Sequence, residues 1–119
     1  MIPACRLTVL PLLLLAALVQ AEPLADRERE QRLANQIAEA IFDGETLWLT
    51  GDDGHDFFAI LQETDSAPAR GGVVLLHGRG FHPDWEDVIH PLRVGLVAEG
   101  WNTLSIQLPV LGNEAEHAD

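Results

Sequence analysis

The sequence predicts an α/β fold: an amphipathic helix, an antiparallel hairpin and one parallel strand–helix–strand unit. Residues 45–50 alternate in polarity, and residues 56–63 resemble a returning strand after a turn rich in Gly and Asp, which is typical of a hairpin. Residues 73–76 are a continuous apolar run, Val-Val-Leu-Leu, between glycines. Such a run predicts a strand buried on both faces of a sheet covered by helices. A further alternating stretch at residues 101–108 predicts its neighbouring strand.

The first 21 residues predict a secretory signal peptide that is not part of the fold. Arg6 is the only charge before Glu22, residues 9–19 are apolar, and Val-Gln-Ala at 19–21 fits a small-residue cleavage site. The apolar run is shorter than the about 20 residues of a membrane span. We therefore expect an exported protein, periplasmic or secreted, without a stable membrane span after cleavage. An uncleaved anchor is the alternative.

Residues 22–44 predict a leader helix, followed at 45–119 by the sheet-forming part of the chain. Leu33, Ile37 and Ile41 recur at a spacing of four, which predicts an amphipathic helix over residues 26–42. Asp43 and Gly44 would end it.

A second helix is predicted between the two later strands, at about residues 91–99. Pro91 suits the first turn of a helix and Gly100 suits the position just past its end. Ile89, Leu92 and Leu96 recur at spacings of three and four and predict its apolar face. Strand, helix and strand then form a right-handed parallel crossover. Residues 111–119 form an acidic tail that could begin another helix.

Charge and cysteine content exclude several classes of protein. The chain has 7 Arg and no Lys against 19 acidic residues, and its formal net charge is −12. This balance disfavours nucleic acid and anionic membrane surfaces as partners, because both bind basic patches. The single cysteine, Cys5, lies within the predicted signal peptide. The remaining chain therefore depends on a packed core and not on disulfides.

Two motifs carry a resemblance to a known family. VVLLHGRG, followed by a helix and then GWNTLSIQLP, resembles the third strand, first helix and fourth strand of an α/β-hydrolase. With HGRGFHPDW included, residues 33–119 resemble an uncharacterised family of exported bacterial α/β-hydrolase-like proteins. The resemblance implies a partial α/β-hydrolase-like sheet and a small acyl substrate, an ester or an amide. It implies no cofactor.

The same resemblance suggests a site in the turn after the run at 73–76. In that superfamily a His-Gly-x-Gly turn lends a backbone N–H to the oxyanion hole. By this likeness the donor is the backbone N–H of Arg79, and His77, Gly78 and Gly80 form the binding turn, with His77 shaping the loop. Gly78 and Gly80 also permit positive φ angles and close approach of a substrate. The alternative is a tight strand-to-helix turn that binds no ligand.

The catalytic residues of such a hydrolase are missing from the sequence. Ser66 and Ser105 are its only serines, and neither lies in a G-x-S-x-G motif. The resemblance places the nucleophile after a fifth strand, with the acid and the catalytic histidine later still. We therefore expect this chain to be the N-terminal portion of a serine-hydrolase-like protein and to be inactive alone.

The resemblance also predicts an unpaired strand edge. In that fold the third strand lies between the fourth and the fifth, so the edge of residues 73–76 is expected to be covered by a C-terminal half or a partner. A non-catalytic binding scaffold of the cell envelope and a truncated gene product are the alternative functions.

Two groups of residues suggest metal ligands without matching a known spacing. His77, His82, His90 and Asp84 do not form a helical pair such as H-E-x-x-H. Asp52, Asp53 and Asp56 lie in the hairpin turn but lack the pattern of an EF-hand loop. The sequence therefore predicts no metal site.

Overall fold

The computed structural model describes residues 25–112. The predicted signal peptide and residues 113–119 of the acidic tail lie outside the described residues. The elements are α1 (Arg27–Ala40), β1 (Glu45–Thr50), β2 (Asp56–Gln62), β3 (Gly71–Leu76), α2 (Ile89–Ala98) and β4 (Trp101–Ile106). The α/β fold class is confirmed. Neither of these two helices is long and apolar enough to cross a membrane.

The four strands form one mixed sheet in the order β1-β2-β4-β3. β1 and β2 form the expected antiparallel hairpin, β2 pairs antiparallel with β4, and β3 pairs parallel with β4. β3 is thus the last strand of the sheet on one side within residues 25–112. The carboxyl ends of β3 and β4 lie at the same edge, where ligands bind in many open α/β sheets.

Local sequence signals account for both helices. Asp26 caps α1 by accepting the backbone N–H of Arg29 at 3.0 Å. Pro91 lies in the first turn of α2, where a missing N–H removes no helical hydrogen bond. Gly100 follows the C-cap residue Glu99 with a φ of +92°, a conformation that favours glycine.

Both helices pack on the same face of the sheet. Ala34 and Ile37 of α1 form a buried cluster with Phe58 and Ile60 of β2. α2 reaches the same face, because the backbone carbonyl of its Arg93 accepts the hydroxyl of Thr103, which lies on the Ile60 side of the sheet. The opposite face has no covering helix within residues 25–112.

The expectation that β3 is buried on both faces was wrong. Leu75 is buried beneath the helices, whereas Val74 and Leu76 are 58% and 59% exposed. The reason is the position of the strand: β3 is the last strand of the sheet described by residues 25–112, and neither α1 nor α2 covers its second face.

The apolar face expected for α2 also needs correction. Ile89 is buried as expected, but Leu92 is 45% exposed and Arg93 is completely buried. Arg93 lies one helical turn after Ile89 and points at the sheet, so the buried row of α2 contains a charged residue.

Candidate functional site

The Gly-rich segment after β3 forms a β-turn at the carboxyl edge of the sheet. The N–H of Phe81 donates to the carbonyl of Gly78 at 3.1 Å, and Gly80, the third residue of the turn, has a φ of +80°. None of the non-glycine residues in the described part of the chain has a positive φ, so Arg79 does not. These angles define a type II turn, which requires glycine at its third position and favours proline at its second.

The two glycines of the turn are under different constraints. Only Gly80 has the positive φ that the sequence allowed for both. A Cβ on Gly80 would meet no atom within 4 Å, so its constraint is conformational. A Cβ on Gly78 would lie 3.1 Å from the ring of Phe81, so that constraint is steric.

His77 connects the turn to the end of β4. Its Nε2 accepts the backbone N–H of Leu108 at 2.9 Å, which places the proton of the neutral ring on Nδ1. Nδ1 then donates to the carbonyl of Gly78 at 2.8 Å. With both ring nitrogens bonded to backbone, the side chain shapes the loop, and neither nitrogen is available to act as a base in this conformation.

The segment after the turn is held by buried groups on the sheet and on α2. The hydroxyl of Ser105 donates to the carbonyl of Pro83 at 2.5 Å. Asp84 Oδ1 accepts Nη2 and Nε of Arg93 at 3.0 and 3.3 Å, and it accepts Nδ1 of His90 at 2.9 Å. The turn therefore projects from a loop that is fixed at several points.

Arg93 is the main residue that sequence reasoning missed. Its guanidinium also donates to the carbonyl of Asp43 and, at 3.0 Å, to Gln62 Oε1. These contacts join α2, the end of β2 and the loop after α1. The only sequence signal is that Arg93 continues the i, i+4 row from Ile89 to Val97, and a search for apolar spacing passes over a charged member of that row.

A polar groove lies between α1 and the turn. Its volume is about 360 Å³, and α1 contributes one stripe of side chains spaced three and four residues apart. The opposite wall comes from the turn and the loop after it. The lining residues are Arg29, Arg32, Leu33, Gln36, Gly80, Phe81, His82 and Trp85.

His82 presents one ring nitrogen as a donor in this region. Its Nδ1 accepts the backbone N–H of Asp84 at 3.2 Å, so the neutral ring carries its proton on Nε2. Burial lowers the pKa of His82 below its ordinary value of 6.5, and this outweighs the opposing effect of the Asp84 carboxylate. His82 is therefore a neutral hydrogen-bond donor at neutral pH.

The two serines occupy unsuitable positions for a nucleophile at this turn. Ser105 is fully buried and bonded to Pro83, as described above. Ser66 lies in the connector before β3, at the amino end of that strand, whereas the turn follows its carboxyl end.

The structure also shows how the suggested metal ligands are used. Asp53 accepts the N–H of His55 at 3.0 Å and pairs with Arg27 at 3.5 Å, and Asp56 accepts the hydroxyl of Thr50 at 2.7 Å. Between residues 25 and 112 no three His, Cys, Asp or Glu side chains converge in a way that could hold a metal ion.

Comparison with known proteins places the chain in a family. A family described as "Protein of unknown function (DUF3530)" matches residues 15–118, and the chain belongs to this family. No curated protein and no solved structure gave a match. The family assignment agrees with the expected likeness to an uncharacterised family.

Proposed function

We propose that the chain is the oxyanion-hole side of an exported α/β-hydrolase-like protein that cleaves an ester or an amide through a serine nucleophile. The observation that carries the proposal is the position of the type II turn. It follows β3 at the carboxyl edge of a parallel β3–β4 pair, in a sheet of order β1-β2-β4-β3. The pairing of β3 with β4 supports the proposal, because the resemblance implies that the third strand lies beside the fourth.

The exposed apolar residues of the sheet support a larger domain around this portion. Val74 and Leu76 are exposed on β3, and Leu104 and Ile106 of β4 lie on the same face, which no helix among residues 25–112 covers. An apolar strand at the edge of a sheet promotes pairing with another strand. A fifth strand beside β3 and further helices on this face would cover these residues.

In the proposed reaction the turn supplies electrostatic stabilisation. When a serine oxygen attacks the acyl carbon, the carbonyl oxygen gains negative charge, and the backbone N–H of Arg79 donates to it. Removal of one such donor costs about 2.7–4 kcal/mol of transition-state stabilisation in a well-studied protease. A base takes the serine proton and returns it to the leaving group.

The proposed nucleophile, acid and catalytic histidine come from outside residues 25–112. Ser66 and Ser105 are the only serines of the sequence, and their positions do not suit attack at the turn. The 119-residue chain alone should therefore not turn over an activated ester such as p-nitrophenyl butyrate.

A substitution that removes only the N–H tests the proposal. Arg79→Pro deletes the donor, and proline is favoured at the second position of a type II turn, so the turn should persist. Arg79→Ala is the matched control, because it removes the side chain and keeps the N–H. In the protein translated from its whole reading frame, we expect Arg79→Pro to lower kcat for p-nitrophenyl butyrate about 10²–10³-fold. Arg79→Ala keeps the donor, so it should lower kcat at least about tenfold less than Arg79→Pro does.

Circular dichroism and the unfolding midpoint of each variant show whether the fold is retained. Retention of kcat by a folded Arg79→Pro protein would contradict the assignment of the donor. Absence of any hydrolysis by the parent protein, together with no labelling of a serine by a fluorophosphonate, would refute the enzymatic proposal.

The second candidate function is a binding scaffold of the cell envelope without catalysis. It is favoured by the positions of Ser66, at the amino end of β3, and of Ser105, which is buried and bonded to Pro83, because neither serine suits attack at the turn. Binding of a ligand by a protein that resists fluorophosphonate would support this alternative.

A further inference from the structure

The polar groove beside the turn has a distinctive set of donors. Arg29, Arg32 and Gln36 come from one stripe of α1, and His82 faces them from the loop. Both arginines are exposed at the surface of the helix, and the His82 ring is a neutral Nε2–H donor because its Nδ1 is occupied by Asp84 N–H. The groove thus combines two cations with a neutral donor.

Three acidic residues lie close to this groove: Glu28, Asp84 and Glu86, the last of which is exposed and acts on the charge of His82. Glu28 lies 3.8 Å from Arg32, but both side chains are largely exposed, so water and salt weaken this ion pair. Asp84 accepts Arg93 and His90 on the other side of the loop. Two arginines therefore lie together in a chain whose formal net charge is −12, and a local positive site of this kind attracts anions.

The groove continues into the proposed oxyanion turn. Gly80 and Phe81 line it, and they are the third and fourth residues of that turn. A molecule whose acyl carbon lies at the turn could place another part of its structure against the arginines of α1.

From this arrangement we propose that the groove binds an anionic group of the substrate, a carboxylate or a phosphate, so that the protein acts on acidic esters in preference to neutral ones. The inference rests on the proposed acyl-transfer function of the adjoining turn. Arginine suits this role because its planar guanidinium donates two hydrogen bonds to a carboxylate or phosphate.

Binding is tested first and without catalysis. Trp85 lines the groove, so its fluorescence should change when glutarate or inorganic phosphate is titrated into the protein translated from its whole reading frame, and Trp85→Phe should remove the signal. We expect the double variant R29Q/R32Q to weaken binding about tenfold or more, as expected for the loss of charge-assisted hydrogen bonds. R27Q is the matched control, because Arg27 is on the same helix but pairs with Asp53 away from this groove. It should change the dissociation constant by less than about twofold.

A comparison of two esters tests substrate preference. The hemiglutarate ester of p-nitrophenol carries a carboxylate, and p-nitrophenyl pentanoate has the same chain length without one. We expect R29Q/R32Q to lower kcat/KM for the hemiglutarate about tenfold and to leave the pentanoate nearly unchanged.

The outcomes separate this inference from the proposed function. Anion binding that depends on Arg29 and Arg32, with hydrolysis of neither ester, would support the anion-binding site and refute the proposed hydrolase function. Hydrolysis of both esters with no dependence on the two arginines would support the proposed hydrolase function and overturn the inference of an anion-binding site. No fluorescence change with either anion up to about 10 mM, or equal weakening in R27Q, would also overturn it. Binding of glutarate alone identifies a carboxylate, and binding of phosphate alone identifies a phosphate group.

Discussion

Replacement of Asp84 by Ala should destabilise the protein strongly because it isolates a buried cation. Arg93 is fully buried, and Asp84 is the only carboxylate bonded to it in the described part of the chain. The other two acceptors, the carbonyl of Asp43 and the amide oxygen of Gln62, are neutral. Without Asp84 the guanidinium keeps hydrogen bonds but loses its counter-charge.

The expected cost follows from the degree of burial. Removing one partner of a buried ion pair typically costs about 3–5 kcal/mol, against a stability of about 5–15 kcal/mol for an ordinary domain. The side chain of Asp84 is 21% exposed, so water can replace part of the carboxylate, and we expect the lower end of this range. A loss of about 3 kcal/mol corresponds to a shift of about 2–3 M in the urea midpoint, for an m-value of roughly 1–1.5 kcal/mol/M.

A double-mutant cycle with Arg93→Met assigns the effect to the pair. Methionine is unbranched and uncharged, and it removes the cation that Asp84 neutralises. Urea unfolding followed by circular dichroism should then show that Asp84→Ala costs less than about 1 kcal/mol when Arg93 is absent. An equal cost in both backgrounds, or a cost below about 1 kcal/mol in the parent, would refute the reasoning.

Three further predictions concern single positions. Gly80→Ala should lower the free energy of unfolding by about 1 kcal/mol, because Gly80 has a positive φ. Gly95→Ala should raise it by up to about 1 kcal/mol, because Gly95 lies within α2 and a Cβ there also meets no atom within 4 Å. Thermal midpoints of the two variants that shift in the same direction would contradict this. Folding lowers the pKa of His82, so near and below pH 6.5 the unfolded state binds more protons than the folded state. The contribution of neutral His82 to the free energy of unfolding is therefore fully present above pH 6.5 and is lost as the pH falls from 6.5 toward the lowered pKa. His82→Gln should therefore reduce the change of the urea midpoint between about pH 7.5 and pH 5. An unchanged pH dependence would exclude His82 as the group responsible for it. Val74→Lys should reduce association of the 119-residue chain in sedimentation velocity, whereas Ser66→Lys, with the same charge change in the connector, should not.

The elements that the sequence predicted are those with local signals. α1 has an apolar row and a capping aspartate, α2 has Pro91 and Gly100 at its ends, and the hairpin has a turn rich in Gly and Asp. Each signal lies within or beside the element that it specifies. The position of the Gly-rich turn at the end of β3 was predictable for the same reason.

The contacts that shape the candidate site are not local. Arg93 bonds to residues 50 and 31 positions away, Asp43 and Gln62, and periodicity within α2 does not identify such partners. The groove beside the turn is lined by both Arg29 and Gly80, which the whole hairpin and β3 separate in the sequence. Sequence pattern therefore predicted the turn but not the surface against which a substrate would lie.

The alternation of β4 gives the strongest physical reason for a second covering layer. Its polar residues Thr103 and Ser105 are buried beneath the helices, where their hydroxyls donate to the carbonyls of Arg93 and Pro83. Hydrogen bonding makes this burial tolerable, because the cost of burying a polar group is incurred mainly when it lacks a partner. The apolar members of the alternation, Leu104 and Ile106, consequently face the side that neither α1 nor α2 covers. In a three-layer α/β fold, helices cover both faces of the sheet, so an apolar face of this kind is buried. We infer that the open face is a packing surface for further helices, which is the arrangement that the proposed hydrolase requires.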